Sequence, residues 1–458
     1  MTASFMQTLL IPIQSELPEL LDASRDTTAW AVTITLLVSA VCTPISGRLG
    51  DMYGKRRVAL VLMGVLAAGS VVAAISTAAG PLIVGRGLQG VGMGVIPLGI
   101  SVLRDVMHPD RMGGAIALVS ATLGVGGALG LPVSAFVTER ADWHVLFWVA
   151  AALALVVLVL MARYVPPSTL RSGGRIDLVG VIGLAAGLTG VLLAISRGGD
   201  WGWTSSSTLG LGLGGVVVLL AWGAFELRVR DPLVDLRVTA RGPVLMTNLA
   251  SVAMGFALFA ANIVFPQLLE LPAEAGGLGM GLVPASLVVM PSGLAMLAMS
   301  PVAGRLLGQW GPKPLLVTGA LVIAAGYAVA VIVPLEAWVV LIINILVGLG
   351  IGLGFAAMPT LVMRAVPASE TGAANGFNTL MRGLGTTSAA AAVAAVLSLS
   401  TVDVGGVQLP TADGFRTALL LGLGAAVVAA VLASLIPPAR AHPGEHTSLP
   451  ADDRPGNR

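Results

Sequence analysis

The stretch that decides the fold reads GRLGDMYGKRR at residues 47–57 and separates two long apolar runs. Its glycines permit a tight turn and the close approach of two helices. Asp51 can accept hydrogen bonds from the free N–H groups of a helix N-terminus, or it can pair with a base. Arg56 and Arg57 favour the cytoplasmic side of a membrane. A plain basic turn between two membrane helices is the alternative interpretation.

Apolar runs recur along the whole chain, broken by short segments rich in Gly, Pro and charge. A helix needs about 20 apolar residues to cross a bilayer, and these continuous runs lack the alternation of a membrane β-barrel. We therefore predict an all-α polytopic membrane protein with 14 transmembrane helices. The predicted spans are about 1–20, 29–46, 58–77, 80–103, 113–137, 143–162, 176–196, 206–226, 243–269, 278–303, 315–333, 337–362, 372–398 and 415–436.

The composition excludes several classes of protein. The apolar share is 56% and the charged share is 10%, whereas a soluble domain carries about 25% charged residues. The net charge of +2 comes without a basic stripe, which argues against a nucleic-acid partner. Cys42 is the single cysteine, and the four histidines have no metal-ligand spacing with acidic residues, so we expect no metal and no cofactor.

Basic residues lie mostly on one side of the predicted topology. With the N-terminus inside, the inside loops and the C-terminal tail hold 19 of the 25 Lys and Arg residues. The outside loops hold only Arg25, Arg140, Arg197 and Arg416. Because positive charge is enriched in cytoplasmic loops, we predict a multi-pass protein of the inner (cytoplasmic) membrane, with both termini in the cytoplasm and the lipid bilayer as its surroundings.

The chain also contains an internal repeat. LQGVGMGVIPLGISVLRDVMHPDRMGGA at 88–115 aligns with LVGLGIGLGFAAMPTLVMRAVPASETGA at 346–373, at a constant offset of 258 that pairs Gly90 with Gly348. Repeated halves with a site between them are common in transporters. Chance similarity between Gly-rich helices is the alternative interpretation.

The repeat divides the chain into four predicted parts. Residues 1–165 form an N-terminal six-helix bundle, and residues 166–240 form a cytoplasmic linker with two extra transmembrane helices. Residues 241–438 form a C-terminal six-helix bundle. The tail at 439–458 is polar and contains proline, so we expect it to be disordered in the cytoplasm. A natural start upstream of Met1 would make residues 1–20 the latter part of the first helix.

The stretch at 47–57 resembles the signature between helices 2 and 3 of the major facilitator superfamily. The resemblance implies two bundles and a latch that holds them together on the cytoplasmic side. It further implies that Asp51 faces the helix start near Gly372. Fourteen spans with a central extra pair resemble the drug:proton antiporter branch of this family. The residues that the resemblance assigns to the latch are Gly47, Asp51, Gly54, Arg56, Arg57 and either Arg104 or Asp105 in the same charge cluster.

The fourth helix resembles the same family, because Arg86 is followed by Gln89 and Gly90. The resemblance makes Arg86 a candidate for assisting proton transfer. A charged group in the middle of a membrane costs at least a few kcal/mol, so it should face the interior and have a partner. The alternative is that Arg86 snorkels to the outer interface near the start of its helix.

The run GVGGALGLP at 124–132 partly resembles the helix-5 signature of drug exporters. The resemblance implies a hinge at Gly126, Gly130 and Pro132. The match is incomplete, because Leu131 separates Gly130 from Pro132 where the family has Gly and Pro adjacent. Ordinary packing of small residues between helices is therefore the alternative interpretation.

The first helix departs from the exporter pattern. Exporters of this branch carry an Asp two positions before a Thr, whereas Thr8 is preceded by Met6 and Gln7. The carboxylate that would normally bind a proton is therefore missing. The remaining carboxylates near the membrane lie close to span ends, where we expect them at the interface rather than in a proton relay: Glu16, Asp177 and Glu270.

Polar residues within the spans are candidates for the proton or substrate pathway. Arg382 lies in a helix that lines the cavity in exporters, so a cavity-lining role is our hypothesis. The alternatives are interhelical hydrogen bonding or a position near the cytoplasmic end. The full set of pathway candidates is Arg86, Gln89, Asn262, Gln267, Asn344, Asn378 and Arg382.

The leading functional hypothesis is a secondary active transporter that exports small amphipathic drugs or secondary metabolites by proton antiport. No ATP-binding loop is present in the sequence, so an ion gradient should supply the energy. We expect a monomer to be the functional unit. A metabolite facilitator or importer and a non-transporting membrane sensor are the alternatives. An enzyme is disfavoured, because no intramembrane nucleophile–base pair or metal cluster is apparent.

Overall fold

The structure is a computed structural model that describes residues 2–10, 13, 16–138, 140–167, 171–404 and 407–437. The tail predicted to be disordered lies outside the described residues. In chain order the helices and strands are α1 (Thr2–Thr8), α2 (Leu17–Leu20), α3 (Arg25–Tyr53), α4 (Lys55–Ala74), α5 (Ala79–Gly92), α6 (Val95–Val106), α7 (Pro109–Thr138), α8 (His144–Tyr164), α9 (Leu178–Trp201), α10 (Ser206–Glu226), α11 (Leu236–Thr239), α12 (Gly242–Glu270), α13 (Leu282–Val289), α14 (Pro291–Gln309), α15 (Pro312–Ile332), α16 (Ala337–Ala365), α17 (Thr371–Leu399), β1 (Thr401–Val404), β2 (Val407–Pro410) and α18 (Ala412–Ser434).

Thirteen helical segments of the described residues are long and apolar enough to cross a membrane. They correspond one for one to the second through fourteenth predicted spans, with α5 and α6 forming one segment and α13 and α14 another. The all-α polytopic class predicted from the sequence is therefore confirmed. Of the first predicted span, residues 2–8 form α1, whereas residues 1, 11, 12, 14 and 15 lie outside the described residues. Among the described residues, the additions to the predicted spans are the short helix α11 and an antiparallel hairpin, β1 and β2, between α17 and α18.

Hydroxyl side chains and glycines set where the long helices begin and end. Ser24 Oγ accepts a hydrogen bond from the Thr27 N–H at 3.1 Å at the start of α3, and Ser205 does the same for Thr208 at 3.2 Å at the start of α10. Such caps satisfy N–H groups that a helix leaves without an internal partner. Gly54 alone separates α3 from α4 at a φ of 100°, which a residue without Cβ adopts at no steric cost.

Two large hydrophobic clusters lie in the two halves of the chain. The first combines residues of α1, α3, α4, α5 and α8, with Leu66, Leu82 and Phe147 fully buried in it. The second combines residues of α12 through α18 with Ala117 and Ala121 of α7, and Phe265 and Tyr327 are fully buried in it. The core of the second half therefore extends onto one helix of the first half. The residue limits of the predicted domains stay predictions.

The internal repeat is visible as matching helix crossings. A Cβ on Gly90 would lie 2.8 Å from Thr35 O, and a Cβ on Gly348, the repeat partner of Gly90, would lie 2.9 Å from Ser292 Cα. Thr35 lies in α3 and Ser292 lies in α14. The two contacted residues are thus separated in sequence by nearly the same distance as the two glycines that contact them. Small residues allow two helix backbones to approach closely. The same close crossing is built twice, which supports the repeat.

The extra helices α9 and α10 form a tight pair that contacts both halves. A Cβ on Gly215 would lie 2.8 Å from Gly187 O, so the two backbones are in close contact. Leu184 of α9 belongs to one hydrophobic cluster with Ala40 of α3 and Phe377 of α17. The pair therefore covers the boundary between the two halves along one side.

Three arginines predicted in outside loops lie in helices instead: Arg25 at the start of α3, Arg416 in the first turns of α18, and Arg197. Arg197 lies within α9 and is 1% exposed. Its Nη1 and Nη2 donate to Asp26 Oδ1 at 2.8 Å and Asp26 O at 2.9 Å, and its guanidinium carbon lies 4.8 Å from the centre of the Trp30 ring. These partners at the start of α3 satisfy the charge, and α9 continues past the predicted span end to Trp201.

Candidate functional site

We call the side of the bundle at which α3 joins α4, α6 joins α7 and α16 joins α17 the basic end. The motif at 47–57 was predicted as a loop, but the structure places residues 47–53 in the last turns of α3 and residues 55–57 at the start of α4. A single glycine with positive φ suffices to reverse the chain, so the residues on either side stay helical. The motif is therefore a rigid helical corner.

Asp51 joins the two halves at the basic end. Its Oδ1 accepts a hydrogen bond from Gly372 N at 3.0 Å, and its Oδ2 accepts one from Ala373 N at 2.8 Å. Gly372 and Ala373 lie in the first turn of α17, where the N–H groups have no partner within the helix. A carboxylate at this place also interacts favourably with the helix dipole. Asp51 thus lies where the resemblance placed it, fully buried against the start of α17.

Lys55 extends this contact and was not among the predicted site residues. Its Nζ lies 2.7 Å from Asp105 Oδ1 and donates to Thr371 Oγ1 at 3.0 Å, and its side chain is fully buried. Thr371 is the first residue of α17, whereas Asp105 belongs to α6. The ammonium group therefore connects three helices of the two halves. We call Asp51, Lys55, Asp105, Thr371 and Gly372 the latch.

Glycines make this contact between the halves possible. A Cβ on Gly47 would overlap the carbonyl group of Gly372, and a Cβ on Gly372 would lie 2.5 Å from Gly47 O. One turn further along α17, a Cβ on Gly376 would lie 2.8 Å from Thr43 O. Because none of these positions has room for a side chain, α3 and α17 cross with their backbones in contact. The Asp51 carboxylate can reach the α17 amides only at this short separation.

The other predicted latch residues bind elsewhere at the basic end. Arg104 Nη1 donates to Met363 O at 2.5 Å and so connects α6 to the end of α16. Arg56 Nη2 donates to Ala162 O at 2.6 Å near the end of α8, and Arg57 is exposed. Of the two candidates for the charge cluster, Asp105 is therefore the one in the latch, and Arg104 makes a separate contact between the halves.

Arg86 lies deep in the first half and is 1% exposed. Its Nε donates to Ala31 O at 3.1 Å, and its Nη1 donates to Met6 O at 2.9 Å and to Gln89 Oε1 at 2.7 Å. Gln89 Nε2 in turn donates to Ser70 Oγ at 2.9 Å. The guanidinium group thus points inward and links α1, α3, α4 and α5, which is not the snorkelling arrangement. No carboxylate pairs with it among the described residues.

The residues predicted as a helix-5 hinge form the contact of α7 with α1. Thr8 Oγ1 donates to Gly127 O at 3.0 Å, and a Cβ on Gly130 would overlap that same hydroxyl group. Gly126 is buried, and Pro132 lies inside α7, where it lacks the N–H of a normal helical residue. The small residues therefore serve close packing here, and a hinge motion stays a prediction.

In the second half, two polar groups lie one turn apart on α17. Asn378 Nδ2 donates to Asn248 Oδ1 and to Ser251 Oγ of α12, both at 2.8 Å. Arg382 is half-buried, and its guanidinium carbon lies 4.6 Å from the centre of the Phe355 ring of α16. Arg382 has no ion pair or hydrogen bond among the described residues, so the interhelical hydrogen bonding considered for it is not what holds its guanidinium group.

The three remaining pathway candidates are not brought together. Asn344 is buried, and its Nδ2 donates to Val340 O of its own helix at 2.9 Å. Asn262 is half-buried and Gln267 is exposed. In the described residues no hydrogen bond joins any of them to Arg382. Their spacing along the sequence placed them within spans but did not predict which face of each helix they occupy.

A family comparison decides what this fold is. The model of the Major Facilitator Superfamily matches residues 1–390. The chain belongs to this superfamily. This membership agrees with the sequence prediction of a transporter rather than an enzyme. A multi-pass position in a membrane follows for this major facilitator from its membership and from its thirteen long apolar segments.

Curated relatives share about a quarter of the sequence. The chain is 27% identical over 322 residues to the lincomycin resistance protein LmrB of Listeria monocytogenes, covering 69% of this chain and 67% of that protein. It is 24% identical over 336 residues to the multidrug transporter protein MdtP of Bacillus subtilis, and 26% identical over 321 residues to the MFS-type transporter YhcA of the same species. The chain spans 61% of the length of MdtP and 59% of that of YhcA.

A solved structure supports the fold. The human organic anion transporter MFSD10 (TETRAN) superposes with a TM-score of 0.62, covering 93% of this chain and 96% of that chain. The two sequences are 14% identical, so the likeness concerns the arrangement of helices alone.

Proposed function

We propose that this major facilitator exports small amphipathic drugs or secondary metabolites across the cytoplasmic membrane by proton antiport. The basic end and both termini would face the cytoplasm, since positive charge is enriched there. The observation that carries the proposal is the latch, in which Asp51 of the first half bonds to two amides of the second half. A closure that rests on a few hydrogen bonds can open and close, as alternating access requires.

The polar groups inside the bundle support recognition of an amphipathic substrate. Arg382 lies over the Phe355 ring and leaves its donor groups without protein partners in the described residues. A cavity with mostly apolar walls and few polar groups binds ligands mainly through apolar contacts. Such a cavity suits recognition of many different amphipathic compounds. The names of LmrB and MdtP suggest lincomycin and a panel of several drugs as the first compounds to test.

The proposal is tested with the full chain reconstituted in liposomes that contain a pH-sensitive dye. With an imposed proton gradient, we expect uptake of lincomycin or a cationic dye together with proton movement in the opposite direction, and loss of both on addition of a protonophore. Arg86→Gln should abolish the flux, because the amide cannot bridge Met6 and Gln89. Arg416→Gln, a change of an exposed helical arginine, is the matched control and should not alter it.

The same vesicles separate the alternatives. Substrate movement that ignores the proton gradient would indicate a facilitator. Movement of a polar metabolite toward the cytoplasm, with no drug transported, would indicate an importer. No flux of any compound across a broad panel, from protein that binds ligand, would indicate a sensor. The monomer as functional unit is tested alongside by reconstituting at less than one chain per liposome, where flux should persist.

A further inference from the structure

Two carboxyl groups meet at the basic end of the extra helix pair. Asp177 caps α9, because its Oδ1 accepts a hydrogen bond from Gly180 N at 2.8 Å. Glu226 ends α10, and its Oε2 accepts one from Leu233 N at 3.1 Å. One oxygen atom of each carboxyl group thus accepts a hydrogen bond from a backbone N–H. The other two, Asp177 Oδ2 and Glu226 Oε1, are buried and have no hydrogen-bond partner among the described residues.

These two oxygen atoms lie close together. The position that a Cβ would take on Gly180 is 2.5 Å from Asp177 Oδ2 and 2.6 Å from Glu226 Oε1. The two atoms are therefore no more than about 5 Å apart, a separation at which one carboxylate disfavours the charge of the other. The missing side chain of Gly180 is what leaves room for both carboxyl groups.

The surroundings offer little to offset two negative charges. Glu226 is 2% exposed, and besides Leu233 N the groups beside its carboxyl are two neutral donors, the buried Trp222 indole and the Val234 N–H. The nearest elements carry Arg48 and Asp231, which both lie 3.2 Å from the place of a Cβ on Gly174. Both groups therefore lie against Gly174 of the linker before α9. No cation forms an ion pair with Asp177 or Glu226 within the described part of the chain.

We propose that Asp177 and Glu226 form a proton-binding site in which one proton is shared between Asp177 Oδ2 and Glu226 Oε1. The shared proton gives one oxygen a donor and the other an acceptor, and it removes one of two like charges from a buried place. The proton comes from cytoplasmic water and returns to it, and no bond between heavy atoms changes. The exporter pattern would place a proton-binding carboxylate in the first helix. The site proposed here lies in the extra helix pair instead.

The proton site is connected to the closed basic end by two contacts. Leu233, whose N–H bonds to Glu226, packs in one hydrophobic cluster with Phe377 of α17. On the other side, the linker before α9 donates from Ser172 N to Asp51 O at 2.9 Å, directly at the latch. Loss of the shared proton leaves two like charges that push α9 and α10 apart and loosen both contacts. This consequence rests on the transport function proposed above, whereas proton binding does not.

Infrared spectroscopy of the purified protein in lipid nanodiscs tests the site directly. Wild-type protein at neutral pH should show the C=O band of one protonated carboxyl group, shifted on exchange into D₂O. Glu226→Gln and Asp177→Asn should each abolish that same band, because the remaining carboxyl group gains an amide donor and ionises. Gln and Asn keep the acceptors for Leu233 N and Gly180 N, so both variants should fold.

Asp235→Asn is the matched control, since Asp235 caps α11 with bonds to Arg237 N and Val238 N and should leave the band unchanged. A band lost only in Glu226→Gln would mean an isolated protonated glutamic acid and would overturn the shared site. A wild-type spectrum without the band would overturn it as well, as would a band that responds to Na⁺ instead of pH.

Flux measurements then test the connection to the latch. In liposomes, the dependence of transport on cytoplasmic-side pH should be flattened in Glu226→Gln and retained in Asp235→Asn. If the infrared band is found but transport by Glu226→Gln has the pH dependence of wild-type protein, the proposed connection to the latch is wrong and the proton site stands. If wild-type protein transports nothing, the proposed transport function is refuted, whereas the infrared evidence for the proton site is unaffected.

Discussion

Asp51→Asn should shift this transporter away from the form closed at the basic end. The carboxylate accepts hydrogen bonds from Gly372 N and Ala373 N at 3.0 and 2.8 Å. A hydrogen bond to a charged group contributes about 1.5–3 kcal/mol, and a charge at a helix N-terminus about 0.3–1 kcal/mol. Asn keeps one acceptor oxygen and loses the charge. The closed form should therefore be destabilised by about 2–4 kcal/mol, which is between one and three powers of ten in its population ratio.

The assay is single-molecule energy transfer between labels on the two halves. Tyr53 and Arg364 are exposed at the basic end, on α3 and α16, and Cys42 is the single native cysteine. Labels on Tyr53→Cys and Arg364→Cys, in a Cys42→Ser background, report the separation of the halves. Asp51→Asn should enrich the separated population, and thermal unfolding should show that the protein still folds.

Asp235→Asn is again the control, because this carboxylate also accepts from two backbone amides at a helix start but lies within a single segment. It should leave the distribution of separations unchanged. A distribution in Asp51→Asn that equals that of wild-type protein would refute the assignment of the closure to these two bonds.

Three further predictions concern other contacts. Gly372→Ala places a methyl group 2.5 Å from a carbonyl oxygen of α3, so the same labels should report loss of the closed form; Gly383→Ala, where a Cβ meets nothing within 4 Å, is the control and should behave as wild type. Arg86→Lys keeps the positive charge but loses the several N–H donors of the guanidinium group. We therefore expect a loss of about 2–4 kcal/mol in the free energy of unfolding and slow transport in vesicles. A thermal unfolding curve equal to that of wild-type protein would contradict this. Arg197→Ala removes the bonds to Asp26, and hydrogen exchange in the outer turns of α9 should accelerate; unchanged exchange there would mean that packing alone holds the helix.

The membrane spans and the repeat could be predicted because each depends on local properties of the chain. An apolar run of sufficient length must become a helix in lipid, since lipid offers no hydrogen bonds to an unpaired backbone. The glycines at matching positions, such as Gly90 and Gly348, have no room for a side chain in either half. Sequence spacing carries that information directly. The place of Asp51 near the start of α17 was implied by the resemblance of its motif to the family signature, not by spacing alone.

The partners of other residues could not be predicted from spacing. Lys55 stood in the motif at 47–57 and among the basic residues of the predicted inner side without a role of its own, yet it is fully buried and reaches Thr371, which is 316 positions away. Glu226 received no role, although it shares a buried place with Asp177. Gln267 and Asn378 are both polar residues within apolar runs, but one is exposed and the other is buried. Sequence hydrophobicity alone does not distinguish such cases.

The division between the two kinds of information has a physical cause. Transfer of a helix into lipid depends on the residues of that helix, so the position and order of the apolar spans could be predicted from the sequence alone. Which side chains meet depends on the rotation of each helix about its axis and on how closely the backbones approach. Those quantities arise only when the helices pack, and the packing decided that Asp51, Lys55 and α17 form one closure.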